Sequence, residues 1–293
     1  MSQRQFRIKV IKDTIYNINK NSYLNTAGKK IKLPRNLIED SIKGSKKYDT
    51  LDLDKNISKE LLNFDCKKFL VNYDCLDVGL LLKSFGYNPC VLNMASCVKA
   101  GGGYMTGAGA QEESLFRRTN LHHCLAEQNN LFYPLKNSEI IYTPNALVIK
   151  SSELFKYTPL DEYKTMSFMS SAAHKCKKAD IYVENSNKYL VKHIEELTSI
   201  KIDNMFKIAL INGHDSIILS AFGCGAYGNP ANHMAKLFKD SISKFDKYFK
   251  FIIFAIIDDS NAYSNNMKGN KFFFSEVLGL PSLEIEEFEK NFK

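Results

Sequence analysis

An apolar run, Val91-Leu-Asn-Met-Ala95, leads into a loop with glycine at 101, 102, 103, 107 and 109, and the loop into an amphipathic run headed by Glu112 and Glu113. Strand, glycine loop and helix in this order constrain the fold more than any other feature. The pattern occurs twice. The apolar run 216–222 precedes Gly223-Cys-Gly-Ala-Tyr-Gly-Asn-Pro230, after which Ala231, Met234, Phe238, Ile242 and Phe245 fall on one helical face. Strands that alternate with helices, joined by glycine turns, predict a layered α/β fold with ligands beyond the carboxyl ends of the strands.

Other elements fill in around these two. Phe6, Val10, Ile11, Ile15 and Ile18 predict a first helix over 3–20. Residues 21–65 are polar, lysine-rich and less regular, so 1–65 reads as an N-terminal extension and 66–293 as the main domain. Short strands are expected at 69–71 and 90–95, and Asp74 is placed to cap the helix carrying Val78, Leu81, Leu82 and Phe85. A helix is expected from about 111 to 127, two short strands around Pro144 within 140–150, and a strand over 165–172. A helix ending near Asn212-Gly213 and a last strand at 249–257 complete the reading, with Asn229 capping and Pro230 opening the helix after the second loop.

Composition excludes several classes. The 293 residues contain no apolar run near the ~20 that a membrane span needs. The opening residues, Met-Ser-Gln-Arg-Gln-Phe-Arg-Ile-Lys, lack the apolar core of a signal peptide, so an intracellular, cytoplasmic protein is expected. The seven cysteines are scattered, with no Cys-x-x-Cys pair, and read as reduced thiols. His174 and Cys176 lack a second ligand pair, so no metal site is expected. The net charge of +8 suits an anionic partner or simply a solvated surface. No nucleic-acid motif is present, and no Gly-Lys-Ser or Gly-Lys-Thr follows a glycine loop, which excludes a P-loop nucleotidase.

The two loops carry the chemistry. Glycine lets a phosphate approach the backbone, and a helix start offers unpaired N–H groups with partial positive charge. Two such loops would grip a pyrophosphate. Acids in a first helical turn also stabilise the helix, by about 0.3–1 kcal/mol each. A helix N-terminus favours an ionised carboxylate, whereas a general acid must hold its proton, so priming is expected chiefly with substrate bound. Adjacent glutamates are not the flanking carboxylate pair of most glycosidases, so one acid would serve both steps.

The run Gly101-Gly-Gly, seven residues, then Gln111-Glu-Glu resembles the signature of poly(ADP-ribose) glycohydrolases. Val91-Leu-Asn-Met-Ala95, Arg117-Arg118, the turn 223–230, the strand 251–257 and the N-terminal Ile11-Lys-Asp-Thr-Ile15 with Tyr23 are similar to the microbial-type branch. The resemblance implies a three-layer macrodomain-like α/β/α sandwich with a mixed sheet and an N-terminal helical extension. It implies poly(ADP-ribose) and ADP-ribose as ligands and ADP-ribosylated proteins as substrates. No cofactor is expected, and cleavage from the free end is expected from the single acid, with endo-cleavage staying open. The resemblance makes Glu113 the catalytic acid and sets Glu112 on the ribose hydroxyls. Asn93 and Gln111 would lie beside them, and Gly101, Gly102 and Gly103 near the diphosphate and terminal ribose. Gly223, Cys224, Gly225, Ala226, Tyr227 and Gly228 would hold the pyrophosphate, with Tyr227, where the family often has Phe, over the ribose. Asp74 is a candidate for reading adenine, against its capping role. His122 and His123 read as packing or surface residues. A monomer is expected. An ADP-ribose reader without activity, and a hydrolase of mono-ADP-ribosylated protein or nucleic acid, stay open; both acids being present argues against a pure reader.

Overall fold

The computed structural model describes residues 1–50, 63–136, 138–265 and 267–293. Residues 51–62, part of the irregular stretch expected over 21–65, lie outside the described residues. The strands are β1 (Ser22–Leu24), β2 (Lys30–Lys32), β3 (Lys46–Tyr48), β4 (Lys67–Val71), β5 (Pro89–Met94) and β6 (Ile140–Lys150). They continue with β7 (Pro159–Ser171), β8 (Ile181–Glu184), β9 (Asn187–Leu190), β10 (Ser216–Leu219), β11 (Phe251–Ala255) and β12 (Ser282–Leu283). The main helices are α1 (Gln3–Asn19), α2 (Arg35–Lys43), α3 (Cys75–Ser84), α4 (Gln111–Arg118), α5 (Lys192–Ile211), α6 (Ala231–Phe245) and α7 (Gly269–Leu278).

The chain forms two compact units: residues 1–47, 93–136 and 141–171, and residues 48–92, 137–140 and 172–293. In the first, Ser2 and Gln5 form a reciprocal capping box at the head of α1, and Val10, Ile11, Thr14 and Ile18 make its buried stripe. Ile18, Tyr23, Ile31, Leu33 and Ile38 pack with Leu147 and Ile149 into one apolar cluster, so the N-terminal residues share a core with β6. β6 and β7 are antiparallel, pairing Thr143 with Phe168 and then Ala146 with Met166. Two strands were expected around Pro144; one is found, because the register shift between Thr143 and Ala146 absorbs the proline as a bulge. Asn145 turns through φ 44° there, and its N–H donates to Ser167 Oγ at 3.1 Å.

The helix expected over 111–127 also changes. α4 ends at Arg118, Thr119 is extended, and a π-helical turn covers His122–Ala126. Asn120 causes the break. Its N–H donates to Leu147 O, its Oδ1 accepts from Leu147 N–H at 2.8 Å, and its Nδ2 donates to Ser41 Oγ at 2.9 Å. A buried asparagine that pairs with a strand cannot continue a helix.

In the second unit five parallel strands run β12–β4–β11–β10–β5. Leu70 pairs with Phe254, Ile253 with Ile218, and Ile218 with Val91. Leu70, Ile218, Ile253 and Val91 are all fully buried, as the unbroken apolar runs of parallel strands require. Asp74 caps α3 as expected: its Oδ1 accepts from the N–H groups of Leu76 and Asp77. The C-terminal residues are held by rings, Phe292 stacking on Phe85 at 5.1 Å and Phe288 meeting Phe69 edge-on at 5.2 Å. No described helix is long and apolar enough to cross a membrane. The expected mixed α/β class is observed, parallel in one unit and antiparallel in the other.

Candidate active site

The first turn of α4 turns three consecutive side chains back onto the chain before it. Gln111 Oε1 accepts from Met94 N–H at 2.8 Å. Glu112 Oε2 accepts from Ser96 N–H at 2.8 Å and Oε1 from Gly101 N–H at 2.9 Å. Glu113 Oε1 accepts from Gly103 N–H at 3.0 Å. Gly102 N–H donates to Lys99 O at 3.3 Å. The expectation that these glycines leave N–H groups bare for phosphate is therefore corrected. All three donate within the protein, two of them to the glutamates. The two carboxylates do not diverge; both bear on Gly102, where an added Cβ would stand 2.8 Å from Glu113 Oε1 and 3.3 Å from Glu112 Oε2.

Glycine is required here for close approach and for backbone angle. Gly101 has φ +74° and Gly102 φ +51°, and a Cβ on Gly101 would stand 2.6 Å from Tyr104 and 2.8 Å from Phe116. Tyr104 is itself fixed, its hydroxyl 2.7 Å from His122 Nδ1. His123 Nε2 lies 2.9 Å from Asn19 Oδ1. Both histidines pack under the loop, which agrees with a packing role.

Glu112 and Glu113 are only 4% and 8% exposed. Burial pushes the Glu112 carboxyl from 4.5 up to about 8. Hydrogen bonds from Ser96, Gly101 and Asn93 oppose the rise, and the neighbouring Glu113 charge adds to it. The pair is asymmetric. Both Glu112 oxygens are engaged by backbone N–H groups, whereas Glu113 Oε2 is buried with no hydrogen-bond partner among the described residues. An unclaimed carboxyl oxygen nine-tenths buried is costly, and active sites are where such groups are kept. Asn93 is fully buried beside them, its Nδ2 donating to Ser170 Oγ at 2.9 Å.

A polar network that sequence reasoning did not find supports the loop from α1. Arg117, fully buried, donates Nη1 to Ala108 O at 2.8 Å and Nε to Tyr157 Oη at 2.9 Å. The Tyr157 hydroxyl donates to Glu153 Oε2 at 3.1 Å, and Glu153 pairs with Arg7 at 2.9 Å. Burial pushes Glu153 up, but hydrogen bonds from Arg7 and Gln3 outweigh it and hold its carboxyl low. Gly109 packs on the Arg7 guanidinium, Gly107 packs on Arg4, and Arg4 Nε donates to Thr106 O at 2.6 Å. Residues 106–109 lead straight into α4. Only Arg117 carried a signal in the sequence, as part of the Arg117-Arg118 pair; the Arg7–Glu153 pair that completes the network spans 146 positions of the chain.

The second glycine loop lies in the other unit. Gly223 has φ +75°, and a Cβ there would stand 2.5 Å from Asn229 Nδ2 and 2.6 Å from Ala173 Cβ. A Cβ on Gly225 would meet nothing within 4 Å, so a side chain there would have room. Cys224 is buried, Ala226 exposed, and Tyr227 and Gly228 half-buried. Asn229 is not the helix cap expected: Pro230 takes that position, and Asn229 Nδ2 instead donates to His174 O at 2.7 Å and Gly223 O at 3.1 Å. Its amide closes the loop.

Residues 11–151 match the family model described as microbial-type PARG, catalytic domain. A solved poly(ADP-ribose) glycohydrolase from Thermomonospora curvata is 20% identical with a TM-score of 0.80, covering 94% of this chain and 100% of that one. The same enzyme bound to the inhibitor ADP-HPD gives 0.78 at 20% identity, over 93% and 99% of the two chains. A poly(ADP-ribose) glycohydrolase from Deinococcus radiodurans in complex with ADP-ribose gives 0.70 at 17% identity, over 85% and 99%. These likenesses establish a shared fold, the mixed α/β, macrodomain-like one. No curated protein sequence matches the chain.

Proposed function

We propose that this chain hydrolyses the ribose–ribose O-glycosidic bonds of poly(ADP-ribose) from the free end, releasing ADP-ribose, with Glu113 as general acid and then general base. The observation that carries the reading is the single unclaimed oxygen, Glu113 Oε2, beside a Glu112 whose two oxygens are both engaged. Glu112 then sets the Gly101 backbone and the ribose hydroxyls, and Glu113 meets the reacting bond.

In this mechanism Glu113 gives its proton to the departing ribose oxygen as the C1″–O bond breaks. The ribosyl group develops oxocarbenium character, which the diphosphate of the same unit offsets. The Glu113 carboxylate next takes a proton from water as the water oxygen bonds to C1″, which restores the acid. The turn at Gly225, with Gly223, Cys224, Ala226 and Gly228 around it, receives the pyrophosphate, and Tyr227 covers the terminal ribose. Asn93, Gln111 and the three glycines 101–103 hold the acid pair in register. ADP-ribose and an analogue such as ADP-HPD are the expected ligands, poly(ADP-ribosyl)ated proteins the expected substrates, and the monomer the expected form.

Release of free ADP-ribose from automodified poly(ADP-ribose) polymerase tests the reading. No release by the wild type, with ADP-ribose still bound, would leave an ADP-ribose reader in its place.

A further inference from the structure

The segment 174–178, His-Lys-Cys-Lys-Lys, is left unused by the chemistry above. It is stitched to the second glycine loop: Cys176 N–H donates to Tyr227 O at 2.9 Å, and the Asn229 amide donates to His174 O. His174 Nε2 lies 2.9 Å from Asp180 Oδ2, and Asp180 also accepts from Lys177 N–H, so the turn is internally fixed. Lys175, Lys177 and Lys178 are all exposed, and none forms an ion pair among the described residues. Between 174 and 192 the chain carries five lysines against two acids, Asp180 and Glu184.

The turn opens directly into the hairpin β8–β9. Tyr182 and Tyr189 face each other across it, their rings stacked at 5.5 Å and 27°. Tyr189 is seated on His233, while Tyr182 stays 45% exposed and its neighbour Val183 67% exposed. A fixed aromatic face next to unpaired cations is how proteins hold a strand of alternating phosphates and bases without reading sequence.

We propose that Lys175, Lys177, Lys178 and Tyr182 form a subsite for poly(ADP-ribose) beyond the terminal unit, the lysines meeting the diphosphate and Tyr182 the adenine of a following unit. This rests on the reading of Gly223–Gly228 as the pyrophosphate loop, to which the segment is tied. Each repeat of the polymer supplies two phosphates and one adenine, which is the pairing that this surface presents. The subsite favours polymer over a single ADP-ribose and leaves the chemical step alone.

Steady-state hydrolysis of size-fractionated poly(ADP-ribose) by the wild type, the triple variant Lys175→Ala/Lys177→Ala/Lys178→Ala and Tyr182→Ala tests it, with ADP-ribose binding measured by calorimetry. The expected result is a KM for polymer about tenfold higher in the triple variant, with kcat and the ADP-ribose Kd unchanged. The slope of log affinity against log salt should shrink by about two, at ~0.7 per single-strand phosphate contact for three lysines. Tyr182→Ala should raise KM without changing that slope. An unchanged KM, or an ADP-ribose Kd weakened as much as the polymer KM, would overturn the subsite while leaving the glycohydrolase reading intact. Single-stranded DNA of equal length competing better than polymer would overturn it in favour of a nucleic-acid surface. A wild type that releases no ADP-ribose would instead remove the activity on which the subsite depends.

Discussion

At the residue scale the two glutamates separate by what their oxygens already touch. Glu113→Gln keeps the shape and the bond from Gly103 N–H but has no proton to give. Turnover on poly(ADP-ribose) should fall by about 10²–10⁴, with ADP-ribose binding kept. More than a tenth of wild-type turnover would remove Glu113 from the acid's role. Glu112 makes a pH prediction of its own. Its folded carboxyl sits at about 8 against 4.5 unperturbed, so the folded state holds a proton that the unfolded chain releases. Stability should therefore fall as pH rises from about 4.5 to about 8, then level off. Glu112→Gln removes this contribution, and its melting temperature should vary less with pH over that window than the wild type's. Parallel curves would show that Glu112 ionises freely in the folded protein. The sequence placed both acids beside the glycines but could not divide their labour, because the division lies in which backbone N–H groups reach which oxygen.

At the element scale the first glycine loop is held by contacts from helix α1 that no local pattern encodes. Arg117, the turn carrying Glu153 and Tyr157, and Arg7 come from three separate segments and converge on Ala108 and Gly109. Arg117→Met keeps the bulk and deletes both donors, which takes the side-chain donor from Ala108 O and leaves Tyr157 held by Glu153. Denaturant unfolding should show a loss of about 2–4 kcal/mol, within the range for buried hydrogen bonds to a charge. Below unfolding conditions kcat should drop more than KM rises, since the displaced segment leads into the turn that carries Glu113. A variant with lowered stability and wild-type kcat would confine the network to folding. The repeating strand, glycine loop and helix were legible because period and glycine are local signals. The end of α4 was not. Leu121 and Leu125 continue the helical spacing past Arg118, and only the pairing of Asn120 with Leu147 and Ser41 explains the stop. Pro144 likewise looked like a strand boundary until β7 supplied a partner that tolerates the bulge.

At the scale of the whole molecule, the sequence motifs pointed to the right fold and to the family whose model matches residues 11–151, while the two glycine loops, similar on paper, turned out to be different devices. Two N–H groups of the first loop go to its own carboxylates; the second, closed by the Asn229 amide, leaves room for a side chain at Gly225. A branched side chain should separate them. Gly102→Val would push Glu113 Oε1 aside and abolish hydrolysis while sparing ADP-ribose binding, whereas Gly225→Val, which meets no protein atom, should fold normally and weaken ADP-ribose binding. Equal binding losses in both would return the first loop to the phosphate. The same asymmetry bears on what the enzyme leaves behind. If Glu113 Oε2 is the free oxygen of the acid pair, the leaving group must be one that it can reach, and the ribose hydroxyl of the preceding unit meets that condition. The side chain bonded to the last unit has another shape. We therefore expect chains to be shortened to a protein-linked stub. Mass spectrometry of an exhaustively digested acceptor should find mono-ADP-ribose on its serine or glutamate residues. Recovery of wholly unmodified acceptor would reverse this expectation, and would mean that the pocket admits the protein-linked unit as readily as the polymer end.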